Sequence, residues 1–505
     1  MSPVSRGTHG PSDEAPAQAL IEAGFALEIA DAPLLHHGLT LADIAHVLDL
    51  RARGIVPEEA ARRLLALLLE THAVAAEDFP YEAAHGDPYN SRERLFVERI
   101  GNDAGWLHAG RPRREAARVA LRLLLRDMIV DLVEVAGSFA GAVARVAAEH
   151  GGTLMPDQTY LQQAQPSTFG HYLLTFAYPA LRDADRLLAC LDWVNLSPGG
   201  AGCVNGSRLV SDREHIAALL GFDGVIEHTR DAMWQIDGLV DLLATAASLV
   251  TNLAKLAEDL EIWDSQEFDF VELAGPYTRA SVLMPQKRNP YALSIVRGAA
   301  GVLIGRVSGY LAVVKTPSAR SDNLIYAQGE VPRALELARR VVRLMAEVVA
   351  TLRVHPERME QALLSGFSQA TDLAEHVMQS CGVDYRTAYL VVGRAVNRAG
   401  REGLRGVDIT GEMLDRAAQE QIGRPLGLAG ADLSSVLDPR AIVQTRSAPG
   451  GAAPEVVERM AAGCADAAHA LGARAASLRA AHRNAVDELI RRAGEVAGPG
   501  VRPDG

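Results

Sequence analysis

One apolar stripe limits the fold of this chain more than any other feature. Between Thr229 and Phe268, Ile236, Leu239, Leu243, Val250, Leu253, Leu256, Leu260 and Trp263 recur in steps of three, four and seven. That period is helical, and it predicts one helix of ~40 residues spanning ~60 Å. Helices are predicted again over 291–314 and 326–353. Rods of this length need partner helices along their whole apolar stripe, and three of them in one chain leave part of it uncovered. Oligomerisation therefore follows from the pattern itself. Gly301, Gly305 and Gly309 recur every four residues, which lets helix backbones approach closely at some cost in propensity. Arg297 and Arg306 interrupt the same segment, which argues against a membrane span.

The rest of the chain agrees with an all-α architecture. Aromatic residues make up only 5% of the 505 positions, whereas Ala and Leu abound, which favours helix over sheet. Residues 1–17 are rich in Ser, Pro, Gly and Ala and read as a disordered lead. Residues 18–110 read as an N-terminal helical domain, 111–363 as a central long-helix bundle, and 364–505 as a small C-terminal helical domain with an Ala/Arg-rich tail. A net charge of −13 without a basic tract argues against a nucleic-acid binder. Cys190, Cys203, Cys381 and Cys464 are scattered, so neither a disulfide framework nor a zinc site is indicated. No apolar signal region opens the sequence, and a soluble, cytoplasmic protein is expected.

Residues 280–290, ASVLMPQKRNP, carry the candidate chemistry. Only three lysines occur among fifty basic residues, and Lys287 is one of them, beside Ser281, Gln286 and Asn289. Asn289 and Pro290 read as N-cap and first helical position, which would put these polar groups at a helix N-terminus suited to an anion. An ordinary capped loop with a solvated lysine fits the composition equally well.

The loop resembles the signature G-S-S-x-M-P-x-K-x-N-P of the argininosuccinate lyase/fumarase/aspartase superfamily. Ser281, Met284, Pro285, Lys287, Asn289 and Pro290 match, while Ala280 and Val282 replace Gly and Ser. FDFVELA (268–274) and IVRG (295–298) are similar to the argininosuccinate lyase branch. AGWLHAGRPRREAA (104–117) resembles the family's AGKLHTGRSRNDQ turn, and TYLQQAQP (159–166) resembles its T-H-L-Q-x-A-Q-P block. The match runs in order over about residues 20–480. It implies a three-domain helical fold, a homotetramer whose central bundle takes helices from four subunits, and active sites each built from three chains.

The resemblance also implies a reaction and its residues. The superfamily performs β-elimination on a succinyl compound, giving fumarate without a metal or organic cofactor. Ser281 would be the base. Lys287, Asn289 and Gln286 would hold substrate carboxylates, with Thr159, Arg113, Arg114, Asp43 and Arg320 as further contacts. A bare Ser is a poor base, and needs the helix dipole, Lys287 and desolvation to act as one.

Several positions depart from the family. Tyr160 stands where the argininosuccinate lyases carry a catalytic His, and Ser294 where its Glu partner falls. Tyr89 replaces another His, and Asp43 a Ser. TPSARSDNLIYAQ (316–328) lacks most of the Y-N-R-D-L-Q-E-D pattern that reads the arginine end of argininosuccinate. The expectation is therefore a carbon–nitrogen lyase of this type acting on another small anionic succinyl substrate, with Tyr160 as the candidate acid. A fold repurposed to a different reaction on an anion, and a catalytically silent homotetramer, are the alternatives.

Overall fold

The computed structural model describes residues 15–315, 319, 326 and 328–498. Helices of ten or more residues are numbered here in chain order. They are α1 (Ala32–Ala52), α2 (Glu58–His72), α3 (Pro88–Ile100), α4 (Arg113–Glu149), α5 (Phe169–Val194), α6 (Asp237–Trp263) and α7 (Tyr291–Val314). After them come α8 (Glu330–Ala350), α9 (Pro356–Ser365), α10 (Ala370–Cys381), α11 (Tyr385–Arg401), α12 (Gly411–Ile422) and α13 (Pro454–Ala497). The 37-residue α4, roughly 55 Å long, is the axis of the molecule. It packs against α1, α5, α8 and α13, while α6 lies against α5, α7 and α8. One apolar core runs through all of these helices.

Two of the sequence expectations need correction. The stripe from Thr229 to Phe268 is not one helix. A short helix, Thr229–Trp234, ends before Gln235 (ψ 151°) and Ile236 (φ −144°), and α6 starts only at Asp237. Packing explains the break. Ala232 and Met233 fill a small separate cluster with Ala201 and Ile226, whereas the first turn of α6 passes flat over the Trp193 indole. A Cβ at Gly238 would lie 2.3 Å from that ring. The 27 residues that remain span about 40 Å.

The second correction concerns the C-terminal third. α10, α11 and α12 enclose their own small core. The tail beyond it does not belong to that domain. Val457, Ala461, Cys464, Leu471, Ala475, Leu489 and Ala493 recur at helical spacing along the 44-residue α13 and join the main core beside α4. The N-terminal helices α1 and α2 likewise share the main core rather than forming one of their own.

α7 is half-covered. Leu293, Val296, Ala300 and Leu303 face α6 and α8. Ile295, Val302, Ile304 and Leu311 are 41–53% exposed on the opposite side. A Cβ at Gly301, Gly305 or Gly309 would meet nothing within 4 Å among the described residues. The close approach expected at these glycines is therefore not made by the described residues of one chain. α6 and α7 are long and apolar enough to cross a membrane by length and composition. However, α6 is spent on neighbouring helices, and Arg297 of α7 pairs with Glu261.

Candidate active site

Three groups of residues carry the candidate chemistry. The first lines a cleft between the Ala26–Ala30 helix, α1, α3 and the start of α4, and contains Glu28, Asp87, Arg113, Arg114 and Arg118. Asp87 caps α3 by accepting from the Asn90 amide at 3.1 Å, with Pro88 at the first helical position. Pro112 is the N-cap of α4, so Arg113 and Arg114 open that helix. Two cations there oppose the helix dipole, a loss of about 0.3–1 kcal/mol each. Arg113 recovers some of it through Asp87 (3.2 Å) and the Asn90 side chain. Arg114 makes no hydrogen bond or ion pair among the described residues. Glu28 is equally uncommitted, and burial, then Asp87, push its carboxyl above the ordinary range against the pull of Arg114 and Arg113.

Behind this cleft the structure corrects the reading of Asp43 as a substrate contact. Asp43 is 0% exposed. Its Oδ2 accepts from Arg92 at 2.9 Å, and its Oδ1 pairs with Arg111 and accepts from the Tyr89 hydroxyl at 3.0 Å. Arg111 donates to that hydroxyl too, at 2.7 Å. Asp43 and Tyr89, two separate departures in the sequence, are thus neighbours in one buried network. A serine at 43 would leave both buried guanidinium groups without a counter-charge, whereas a carboxylate places one negative charge between them.

A second buried acid holds a loop. Glu115 accepts from the Gly200 and Gly202 amides, both at 2.7 Å, and so fixes the Gly-rich segment 197–206. Gly202 sits at φ 65°, and a Cβ there would lie 2.4 Å from the Gly206 carbonyl oxygen. Burial pushes the Glu115 carboxyl up to about 7, against Arg111 and the two amides. A raised folded-state value stabilises the protein fully below the unfolded value of 4.5, and that contribution is lost as pH rises to about 7. Between pH 4.5 and 7 the loss should be of order 3 kcal/mol. Denaturation midpoints across that window should fall less steeply in Glu115→Gln than in the wild type. Equal slopes would assign the change to other groups.

The second group stands on a β-hairpin, β1 (Leu154–Thr159) and β2 (Gln162–Thr168). Thr159 pairs with Gln162, which leaves Tyr160 and Leu161 as a two-residue turn with φ of 55° and 58°. Two positive φ values in such a turn normally select Asn-Gly, and for bulky side chains they are strained. Tyr160 is 99% exposed at this tip. Close to this turn Gln163, paired with Gln158, donates to the Ala362 carbonyl in α9 at 2.8 Å. His171 is a structural tie, its Nε2 lying 3.0 Å from the Gly450 carbonyl.

The third group is the signature loop. Arg279–Ala280 pairs antiparallel with Arg288–Asn289 and closes the base of 281–287. Arg288 locks that base to Glu272 and to the Leu273 carbonyl, the latter at 2.8 Å. Ser281 Oγ accepts from the Met284 amide at 3.0 Å, and the exposed Gln286 and Lys287 side chains make no hydrogen bond or ion pair among the described residues. Asn289 is not the N-cap that the sequence suggested. Its side chain donates to the Arg279 carbonyl at 2.9 Å, and Pro290 precedes the first turn of α7.

One chain does not bring the three groups together. The cleft of Arg113 and Arg114 contains none of Ser281, Lys287, Thr159 or Tyr160. Ser294 faces outward on α7, with no bond to Tyr160. Arg320 lies outside the described residues, as does most of 316–328. Among the described residues no group of three or more His, Cys, Asp or Glu could hold a metal ion. Glu28 escaped the sequence reading, because a lone Glu in a short helix reads as a solvated face.

Long helices around one axis, with polar groups displayed on loops and a hairpin tip, define a helical lyase of the fumarase/aspartase type. The comparisons with known proteins fix the branch. The lyase family model matches residues 45–305, and the argininosuccinate lyase C-terminal model matches 367–444. Argininosuccinate lyase of Methanothrix thermoacetophila is 35% identical over 456 residues, 90% of this chain and 91% of that one. The enzyme of Methanococcoides burtonii is 35% identical over 83% and 85%. Among solved structures, EDDS lyase in complex with formate superposes with a TM-score of 0.86 at 27% identity, over 96% of both chains. A 3-carboxy-cis,cis-muconate lactonizing enzyme from Pseudomonas putida shares the fold alone, at 20% identity and a TM-score of 0.70 over 90% of this chain and 100% of that one. The chain belongs to the argininosuccinate lyase family and is a carbon–nitrogen lyase.

Proposed function

We propose that this lyase releases fumarate from an N-succinyl amine other than argininosuccinate, and that it works as a homotetramer with composite active sites. The observation that carries the reading is the display of Ser281, bonded only to the Met284 amide of its own loop, and of the unpaired Lys287 on one loop, matched by an exposed Tyr160 at a hairpin tip. Among the described residues Lys287 and Tyr160 have no side-chain partner, as parts of a site completed by other copies would. The half-covered α7 supports the same assembly, since an exposed apolar face of this length calls for a partner. EDDS lyase, the solved relative named among the comparisons, also has a variant structure with bound fumarate.

In this reading Ser281 removes a proton from the carbon beside a substrate carboxylate. Lys287 and Asn289 hold that carboxylate as negative charge builds on it. The electron pair forms the new C=C bond, the C–N bond breaks, and its pair leaves with nitrogen. Tyr160 then donates a proton to the departing amine. Arg113 and Arg114 hold the remote carboxylate.

Following fumarate absorbance with a panel of N-succinyl amines tests the proposal, with sedimentation for the assembly. A monomer, or robust cleavage of argininosuccinate, would refute it. Tyr160→Phe keeps the ring and removes the proton donor, and should lower kcat by about 10²-fold or more with little change in KM. Unchanged turnover would mean that the leaving group departs without this acid.

A further inference from the structure

The Tyr160 hairpin is packed at its base and loosely joined above it. Leu154 shares a small apolar cluster with Leu363, Val443 and Ala452, which anchors the base to α9. Higher up, Pro156 faces Pro166, and neither has an N–H to give to the ladder. Asp157 then stands against both Ala164 and Gln165, a bulge of two residues against one. Beyond this neck two pairs remain, Gln158 with Gln163 and Thr159 with Gln162. They carry a turn whose two residues, Tyr160 and Leu161, both sit at positive φ. Backbone of that kind persists where its surroundings hold it, yet no residue from 157 to 165 is buried.

Gln163 supplies a hold. Among the described residues it is the only one from 158 to 163 whose side chain forms a hydrogen bond, and its partner, the Ala362 carbonyl, lies in the last turn of α9. The helix has another donor for that carbonyl, since the Ser365 hydroxyl donates to it at 2.8 Å. The bond therefore matters more to the hairpin than to α9. Gly366, the C-cap of α9, leaves room for the amide, because a Cβ there would lie 2.4 Å from Gln163 Oε1.

We propose that Gln163 is a positioning residue, which clamps the hairpin tip to the end of α9 and so aims the Tyr160 hydroxyl at the departing nitrogen. This rests on the lyase reading above, in which Tyr160 is the acid. The competing account is that Gln163 merely ties two surface segments together. The accounts differ in what the loss of the clamp touches. A tie changes stability, and its effect does not depend on Tyr160. A positioning residue acts on turnover through Tyr160 alone, and a displacement of about 1 Å can cost on the order of 10²-fold.

Gln163→Leu, which keeps the bulk and removes the donor, should lower kcat at least ten-fold and leave KM and melting temperature within error of the wild type. Gln163→Lys, which returns a donor to the Ala362 carbonyl, should recover most of that loss. In a Tyr160→Phe background, Gln163→Leu should cost nothing further, because the group it aims is gone. An unchanged kcat, a loss carried by KM, or an additive loss in the double variant would overturn the proposal and leave the lyase reading standing. If the wild type releases fumarate from no N-succinyl amine, or Tyr160→Phe is as active as the wild type, the reading of the reaction or of its acid has failed in its own right. Hydrogen exchange then decides whether Gln163 holds the tip. Amides of 158–163 that exchange at least ten-fold faster in Gln163→Leu, with those of 167–168 unchanged, support the clamp, and equal rates reject it.

Discussion

Ser281→Ala is expected to lower kcat by on the order of 10³-fold while the assembly and its melting temperature stay within error of the wild type. The size follows from the chemistry. The proton beside a carboxylate is weakly acidic, and no other candidate base stands on the signature loop. Local structure explains the lack of a stability cost. Ser281 Oγ makes one hydrogen bond, to the Met284 amide, on a partly exposed loop whose base is held by Arg288 and not by the serine. An exposed bond of that kind contributes about 1 kcal/mol or less. The measurement is fumarate release at saturating substrate together with a thermal scan. If the variant keeps wild-type turnover, the loop only binds and the base lies elsewhere. If turnover and melting temperature fall together, the loop is structural and the loss says nothing about chemistry.

What could be read from the sequence follows a physical division. Period-3.6 stripes survive in a single sequence, and most of α6, with α7 and α8, declare themselves that way. A contiguous loop motif survives too, which is why Ser281, Lys287 and Asn289 could be picked out together. Interruptions decided by distant packing do not survive. Nothing in Gln235-Ile236 announces a break, because its cause is the Trp193 ring under Gly238. The hairpin of β1 and β2 is hidden for a related reason. Its turn is Tyr160-Leu161, where the signal for such a turn would be Asn-Gly. Asn289 looked like an N-cap because local propensity favours one there, yet strand pairing with Arg279 takes its side chain away. Charges are the least legible of all. Asp43 and Glu28 are both single acids on helices, and only the fold shows that one is sealed between two arginines and the other faces a cleft.

That difference gives Asp43 a sharp prediction on stability. Asp43→Ala should destabilise the protein by about 3–5 kcal/mol, because it leaves Arg92 and Arg111 buried without their counter-charge. Both guanidinium groups already contain orphan nitrogens, Nε and Nη1 of Arg92 and Nε of Arg111, so little else nearby could absorb the loss. Tyr89→Phe removes only a neutral hydroxyl from the same network, and should cost about 1–2 kcal/mol. A larger loss at Asp43 than at Tyr89 means that charge, rather than the number of hydrogen bonds, holds the network together. A third variant checks the mechanism. In an Asp43→Asn background, Arg92→Met removes one uncompensated cation and keeps an apolar stem against Phe96, whose ring lies 5.1 Å from the Arg92 guanidinium. It should therefore recover part of the lost stability. Denaturant midpoints at fixed protein concentration follow all three, with KM measured alongside. Were Asp43 a ligand contact, as its position in the sequence suggests, Asp43→Ala would leave the midpoint in place and raise KM. A carboxylate with no exposed surface and both oxygens engaged should do the opposite.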